Sequence, residues 1–328
     1  MAFASVTNLA FAGAGVRGCS YVGALRAAER QGLVLTRVTK AVGTSVGALA
    51  AALVCLGYTV DEMQETMIGT SVQGLFDVSM RNIVQRRGIA DGNELQRLAE
   101  TLVAAKQGGN GRALFSTLSR ELEICSTCLS TRRAVYFTKR SHPHMAIADA
   151  IRRSMSIPFV FQPVEDERGR LWVDGGVTDN FPVQRIYNNK CPSRTLAFRM
   201  QPPGPRDQSY PESVVSCGME TITNLRTRRV PRSRVVCIRS DIIGTINFSL
   251  TNEDRLQLLR AGEEATEITA SAIKKYQSCM ANETDQSDNA PTDYAQNAGH
   301  RAHTCVSPCH GGRDDKGGKH GLGVFPGA

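Results

Sequence analysis

The stretch Gly43-Thr44-Ser45-Val46-Gly47 constrains this chain more than any other. Upstream of it, residues 33–42 run through Val38 and Val42 toward a short buried strand. Downstream, Ala48 to Leu56 is rich in Ala and Leu and has helical propensity. A strand that turns sharply into a helix at a serine is a nucleophile elbow. The two glycines let the strand and helix backbones come close, and the hydroxyl then stands beside the positive end of the helix. Alone, Gly-x-Ser-x-Gly also fits an ordinary glycine turn, so its surroundings decide.

Those surroundings repeat the same unit. Val6 to Gly13 reads as a first strand, followed by the turn Gly13-Ala14-Gly15-Val16-Arg17-Gly18 and a helix over Cys19 to Gln31 with Val22, Ala24, Leu25 and Ala28 on its apolar face. Strand, glycine turn and helix cradle a phosphate or an oxyanion. Gly13, Gly15 and Gly18 also satisfy the dinucleotide spacing, which makes that site a rival for this stretch. The second unit argues against it, because it ends in Ser45 and not in an acidic ribose ligand. Two strand–helix units in 56 residues predict a parallel sheet with right-handed crossovers. The glycine turn and the elbow then share one carboxyl edge of that sheet.

Amphipathic helices are expected over Val60–Ile68 and Asn93–Ala105, strands over Glu121–Cys125 and Ala134–Thr138, and a helix over Met145–Met155 stopped by Ile157-Pro158. Phe159–Pro163 reads as extended. Arg170–Val173 is a strand leading into Asp174-Gly175-Gly176, where an acid released by two glycines points into a site. Asp179 and Asp91 read as caps. Further strands are expected over Thr195–Met200 and Arg234–Arg239, helices over Gln208–Thr227 and Asp254–Tyr276, and a proline-rich loop over Pro202–Pro211.

After Cys279 the composition shifts to Gly, Asp, Asn, Thr, Pro and His, the signature of a disordered tail. The chain therefore divides into a domain over 6–279 and a low-complexity tail over 280–328. The tail carries His300, His303, Cys305, Cys309 and His310; their spacing matches no standard zinc finger, so no metal site is assigned. The first ten residues lack the charged start and apolar core of a signal peptide, and no run of eighteen apolar residues occurs. We expect a cytoplasmic protein with reduced cysteines, most of Cys19, Cys55, Cys191, Cys217 and Cys237 acting as small buried hydrophobes.

Taken together, the turn at Gly13–Gly18, the elbow at Gly43–Gly47 and Asp174-Gly175-Gly176, in that order, resemble the patatin-like phospholipase family. Ser156 to Val164, Asn180-Phe181-Pro182-Val183 and Leu259-Arg260-Ala261-Gly262 extend the resemblance, which is firm over residues 6–200 and looser to 276. The family's turn often carries three consecutive glycines; here the middle one is Ala14, which keeps its N–H. The resemblance implies a three-layer α/β fold with a mainly parallel central sheet flanked by helices. It implies a Ser45–Asp174 dyad without metal or cofactor, an oxyanion hole of the Gly13, Ala14 and Gly15 amides, and a phospholipid or other acyl lipid as substrate. Residue counting agrees with a dyad: only His142 and His144 precede residue 300. A triad through His144 stays open as the minor reading. Arg17 either holds an anionic head group or braces the turn.

Charge bears on partners. The chain carries 39 Lys/Arg and 31 Asp/Glu, net +8, and the tail is itself acidic. Basic clusters at Arg81, Arg86 and Arg87, at Arg132, Arg133, Lys139 and Arg140, and at Arg226, Arg228, Arg229 and Arg232 suit peripheral contact with a lipid surface, or a solvated face. Nucleic-acid binding ranks last, because no module or aromatic stripe accompanies the charge. A member of the fold that binds lipid without turnover is the alternative to a hydrolase.

Overall fold

The computed structural model describes residues 1–69, 88–187, 190–201, 210–228, 230–240 and 250–288. Arg81, Arg86, Arg87, Arg229, most of the proline-rich loop and the tail's Cys/His group lie outside them. In chain order the elements are β1 (Asn8–Phe11), α1 (Cys19–Arg30), β2 (Lys40–Thr44), α2 (Val46–Leu56) and α3 (Val60–Gly69). Next come β3 (Gly88–Ala90), α4 (Asn93–Lys106), β4 (Glu121–Cys128), β5 (Arg133–Thr138), α5 (Ile147–Ser154), β6 (Phe159–Phe161), β7 (Val164–Glu165) and β8 (Leu171–Asp174). The short α6 (Gly176–Asp179), β9 (Thr195–Met200), α7 (Tyr210–Thr227), β10 (Val235–Ile238) and α8 (Asn252–Asp288) follow among the described residues.

The main sheet runs β10-β9-β1-β2-β4-β8-β7, with β5 on the other edge of β4. From β10 to β4 every pairing is parallel. β5, β7 and β8 add antiparallel pairings. The sheet is therefore mixed and mostly parallel, as expected of an α/β fold.

Burial of both faces explains the apolar run from Leu9 to Ala12 through β1. Leu9 and Phe11 point to one side, where Phe11 stacks on Phe198 at 5.2 Å and meets Tyr21 edge-on at 5.5 Å. Ala10 and Ala12 point to the other, against Val42, Phe181, Val183 and Ala197. Alternate residues of a central strand thus feed two cores. α2 packs on β1, β2 and β4, while α5 covers β4 and β8.

Three features differ from the sequence expectations. β3 and β6 form a separate two-stranded parallel sheet, built from three-residue strands too short to show a period. α8 is longer than expected, running to Asp288. Cys19 and Cys55 are buried, but Cys191 and Cys217 are exposed, so those two are not core residues. Among the described residues no helix is long and apolar enough to cross a membrane.

Candidate active site

Ser45 follows directly on β2 and precedes α2, at φ 57°, ψ −131°. A side chain at positive φ strains the backbone by about 1–2 kcal/mol, and local contacts hold it there. The Ser45 N–H donates to Ser154 Oγ at 2.9 Å, and that hydroxyl donates onward to the Cys125 carbonyl at 2.5 Å. The Ser45 carbonyl accepts from the Ala48 and Leu49 amides, starting α2. Both flanking glycines are required by close approach. A Cβ on Gly43 would lie 2.0 Å from the Gly47 carbonyl oxygen, and one on Gly47 would lie 2.4 Å from that of Ala12.

Asp174 reaches the same place from the opposite direction. β2 climbs β4 in parallel until Thr44 pairs with Cys125. β8 descends the same edge antiparallel until Asp174 pairs with Ser126. Ser45, next after Thr44, is thereby set beside Asp174. The Asp174 N–H donates to the Ser156 carbonyl at 2.8 Å, and its Oδ1 accepts from the Gly176 amide at 2.7 Å. Burial raises its pKa to about 6, against the opposing pull of hydrogen bonds from the Ser45 hydroxyl and the Gly176 amide. The buried Oδ2 has no partner of good distance and angle, so the Ser45 contact is long or poorly aligned, as such contacts often are before substrate tightens them.

The glycine turn abuts the serine. A Cβ on Gly13 would lie 3.4 Å from Ser45 Cβ and 2.3 Å from Asn180 Oδ1. Its amide, however, donates to the Asn180 carbonyl at 2.9 Å. Gly13 is therefore removed from the expected oxyanion donors: its N–H is spent on bracing the turn. Among the described residues the Ala14 and Gly15 amides have no such acceptor. Ala14 sits at φ −138°, which alanine adopts freely, and the left-handed position is Gly15 at φ 56°. The middle position thus does not call for glycine's left-handed backbone. Arg17 is only 4% exposed and donates to the Gln201 carbonyl at 2.9 Å. That contact ties the turn to the residue after β9, which favours the bracing role over the head-group one.

Both acids expected as caps accept a backbone amide two residues on. Asp91 does cap, accepting from the Asn93 amide at 2.8 Å. Asp179 likewise accepts from the Phe181 amide two residues on and, fully buried, also accepts from the Tyr136 hydroxyl and pairs with Arg226 at 3.1 Å. Its carbonyl also accepts from the Thr44 hydroxyl at 2.8 Å. α6 thus ties the elbow through Asp179 and the glycine turn through Asn180. No hydrogen bond among the described residues joins a histidine to Ser45 or Asp174; His142 contacts Ser141 and the Phe137 ring instead.

Ser154, Tyr136 and Arg226 had no assigned part in the sequence reading of the site. Each acts through a contact at least 40 positions away in the chain, and none stands in a motif. Asn180 did carry a signal, as the first residue of Asn180-Phe181-Pro182-Val183.

Comparison with known proteins identifies relatives of the chain and of its fold. The family model described as patatin-like phospholipase matches residues 9–186. An uncharacterized protein of Acanthamoeba polyphaga mimivirus is 27% identical over 278 residues, covering 78% of this chain and 91% of that protein. The probable lipid hydrolase 463L of Invertebrate iridescent virus 6 is 23% identical over 194 residues, covering 56% of this chain and 64% of its own. Among solved structures, VipD from Legionella pneumophila shares the fold at a TM-score of 0.58 and 16% identity, over 82% of this chain and 67% of its own.

Proposed function

The chain belongs to the patatin-like phospholipase family, and from that premise we propose that it is a serine lipid acyl hydrolase working through a Ser45–Asp174 dyad. The observation that carries the reading is a buried carboxyl, its pKa pushed up by that burial, beside a serine held at positive φ on a strand–helix turn. A carboxylate of ordinary pKa is a poor base for a hydroxyl; burial makes this one stronger.

In the proposed cycle the Ser45 hydroxyl gives its proton to Asp174 Oδ2 as its oxygen attacks the ester carbonyl carbon. The resulting oxyanion is held by the Ala14 and Gly15 amides, each such donor worth about 3 kcal/mol in the transition state. Collapse expels the alcohol, which takes the proton from Asp174 and leaves an acyl-Ser45 ester. Asp174 then deprotonates a water that attacks this ester. Collapse of the second oxyanion releases the fatty acid, and the proton returns from Asp174 to Ser45 Oγ. No step calls for a metal or cofactor.

The substrate we propose is a phospholipid or other acyl lipid, met at a membrane surface that the protein touches and does not span. The catalytic unit is assigned to residues 6–279, with no chemical part for 280–328. The test is fatty-acid release from phosphatidylcholine vesicles beside hydrolysis of a short-chain chromogenic ester. Turnover of both supports the reading. Vesicle binding with no turnover of either would replace it with a lipid-binding role.

A further inference from the structure

We infer that Phe159 is a wedge that enters the lipid surface beside the active site. This rests on the hydrolase reading for its substrate phase, and on independent geometry for the residue. Phe159 is 77% exposed and sits at φ 68°. Glycine tolerates that region freely, whereas a bulky side chain there is an outlier. A phenyl ring kept in strain, and contributing little packing to the fold, points to a role outside the fold.

The strain is fixed by the surrounding segment. The Ile157 amide donates to the Met155 carbonyl at 2.9 Å, and the Ile157 carbonyl accepts from Val160 and Phe161 at 3.2 and 2.9 Å. Phe159 pairs with Gly88 across the small sheet, and the Gln162 amide donates to the Ala90 carbonyl at 2.9 Å. Arg152 clamps both sides, donating to the Asp91 and Gln162 carbonyls at 2.7 and 3.2 Å. The ring therefore stands on a braced platform.

That platform is continuous with the site. Ser156, whose carbonyl holds the Asp174 amide, is three residues before Phe159, a reach of about 11 Å at most. Three residues beyond Asp174 stands Val177, also exposed at 37%. Apolar side chains thus project on both chain segments that meet at the Ser156–Asp174 hydrogen bond. Ser45 is only 5% exposed, so an acyl ester must leave the plane of its bilayer to reach it. An aromatic ring seated at the interface beside the entrance suits that transfer.

The test uses the full chain carrying Ser45→Ala, so that vesicles stay intact, with Phe159→Trp as the reporter. Trp172 is the only native tryptophan and is 3% exposed, which fixes the background. Vesicles of pure phosphatidylcholine should shift the reporter emission to the blue. In the active chain, Phe159→Ala should lower vesicle hydrolysis by about tenfold or more and leave the soluble ester within about twofold. Phe159→Gly, which relieves the strain, should be at least as stable as wild type and equally poor on vesicles. Water-like emission with vesicles present, or full vesicle hydrolysis by Phe159→Ala, would overturn the inference. So would a change of oligomeric state in Phe159→Ala, which would make the ring a protein contact. A blue shift in a chain whose wild type hydrolyses no ester would keep the wedge and remove the hydrolase.

Discussion

Thr44 and Asp174 pair with adjacent residues of β4, Cys125 and Ser126, from opposite directions. A parallel strand and an antiparallel strand share one edge of β4 and meet end to end. The residue after Thr44 and the last residue of β8 are then neighbours by register, before any side-chain contact is considered. This meeting places a buried acid beside a strained serine.

A first prediction concerns pH. With Asp174 as the base and its pKa raised to about 6, kcat/KM on a soluble ester should rise with pH, reach half its maximum near pH 6, and level off above. The pH–rate profile of the wild type checks this.

The same shift has a stability cost of definite sign. The folded pKa lies above the ordinary 3.8, so the folded state holds the proton more tightly than the unfolded one. Stability is therefore lost as pH rises from about 4 to about 6, by about 3 kcal/mol in all. Asp174→Asn should abolish turnover and raise stability at pH 8, with the gain vanishing near pH 4. Urea denaturation at the two pH values measures it.

Ser154 supports the elbow from α5. Ser154→Ala leaves the buried Ser45 N–H without its acceptor, at a cost of about 1–3 kcal/mol. It should also lower kcat by about tenfold or more through misplacement of the hydroxyl, with KM little changed. Thermal melts and steady-state kinetics separate the two effects.

The elbow itself, unlike its supports, was plain in the sequence. β2, Ser45, α2 and Asp174-Gly175-Gly176 are contiguous segments whose glycines, apolar runs and acid carry local patterns. Ser154, Tyr136 and Arg226 work through residues 109, 43 and 47 positions away, and no local pattern encodes such a contact. The Gly13 amide shows the limit from the other side. The turn was legible, but the acceptor that removes its N–H belongs to Asn180, which only the fold brings near. β3 and β6 were obscure because a three-residue strand shows no alternation.

Glycine substitutions should separate close approach from backbone angle. Gly43→Ala and Gly47→Ala drive a Cβ into backbone oxygens and should cost more than about 3 kcal/mol. Gly57 has φ 87° but open space around it, so Gly57→Ala should cost only about 1–2 kcal/mol. Denaturation midpoints of the three variants test the order.

The most direct measurement of the dyad is covalent trapping. An alkyl fluorophosphonate reacts with an activated serine, the serine oxygen displacing fluoride to form a stable ester. Intact mass and peptide mapping should find one adduct, on Ser45, in wild type; none in Ser45→Ala; and strongly slowed labelling in a folded Asp174→Asn. An adduct on another residue, or labelling of Asp174→Asn at the wild-type rate, would contradict the account.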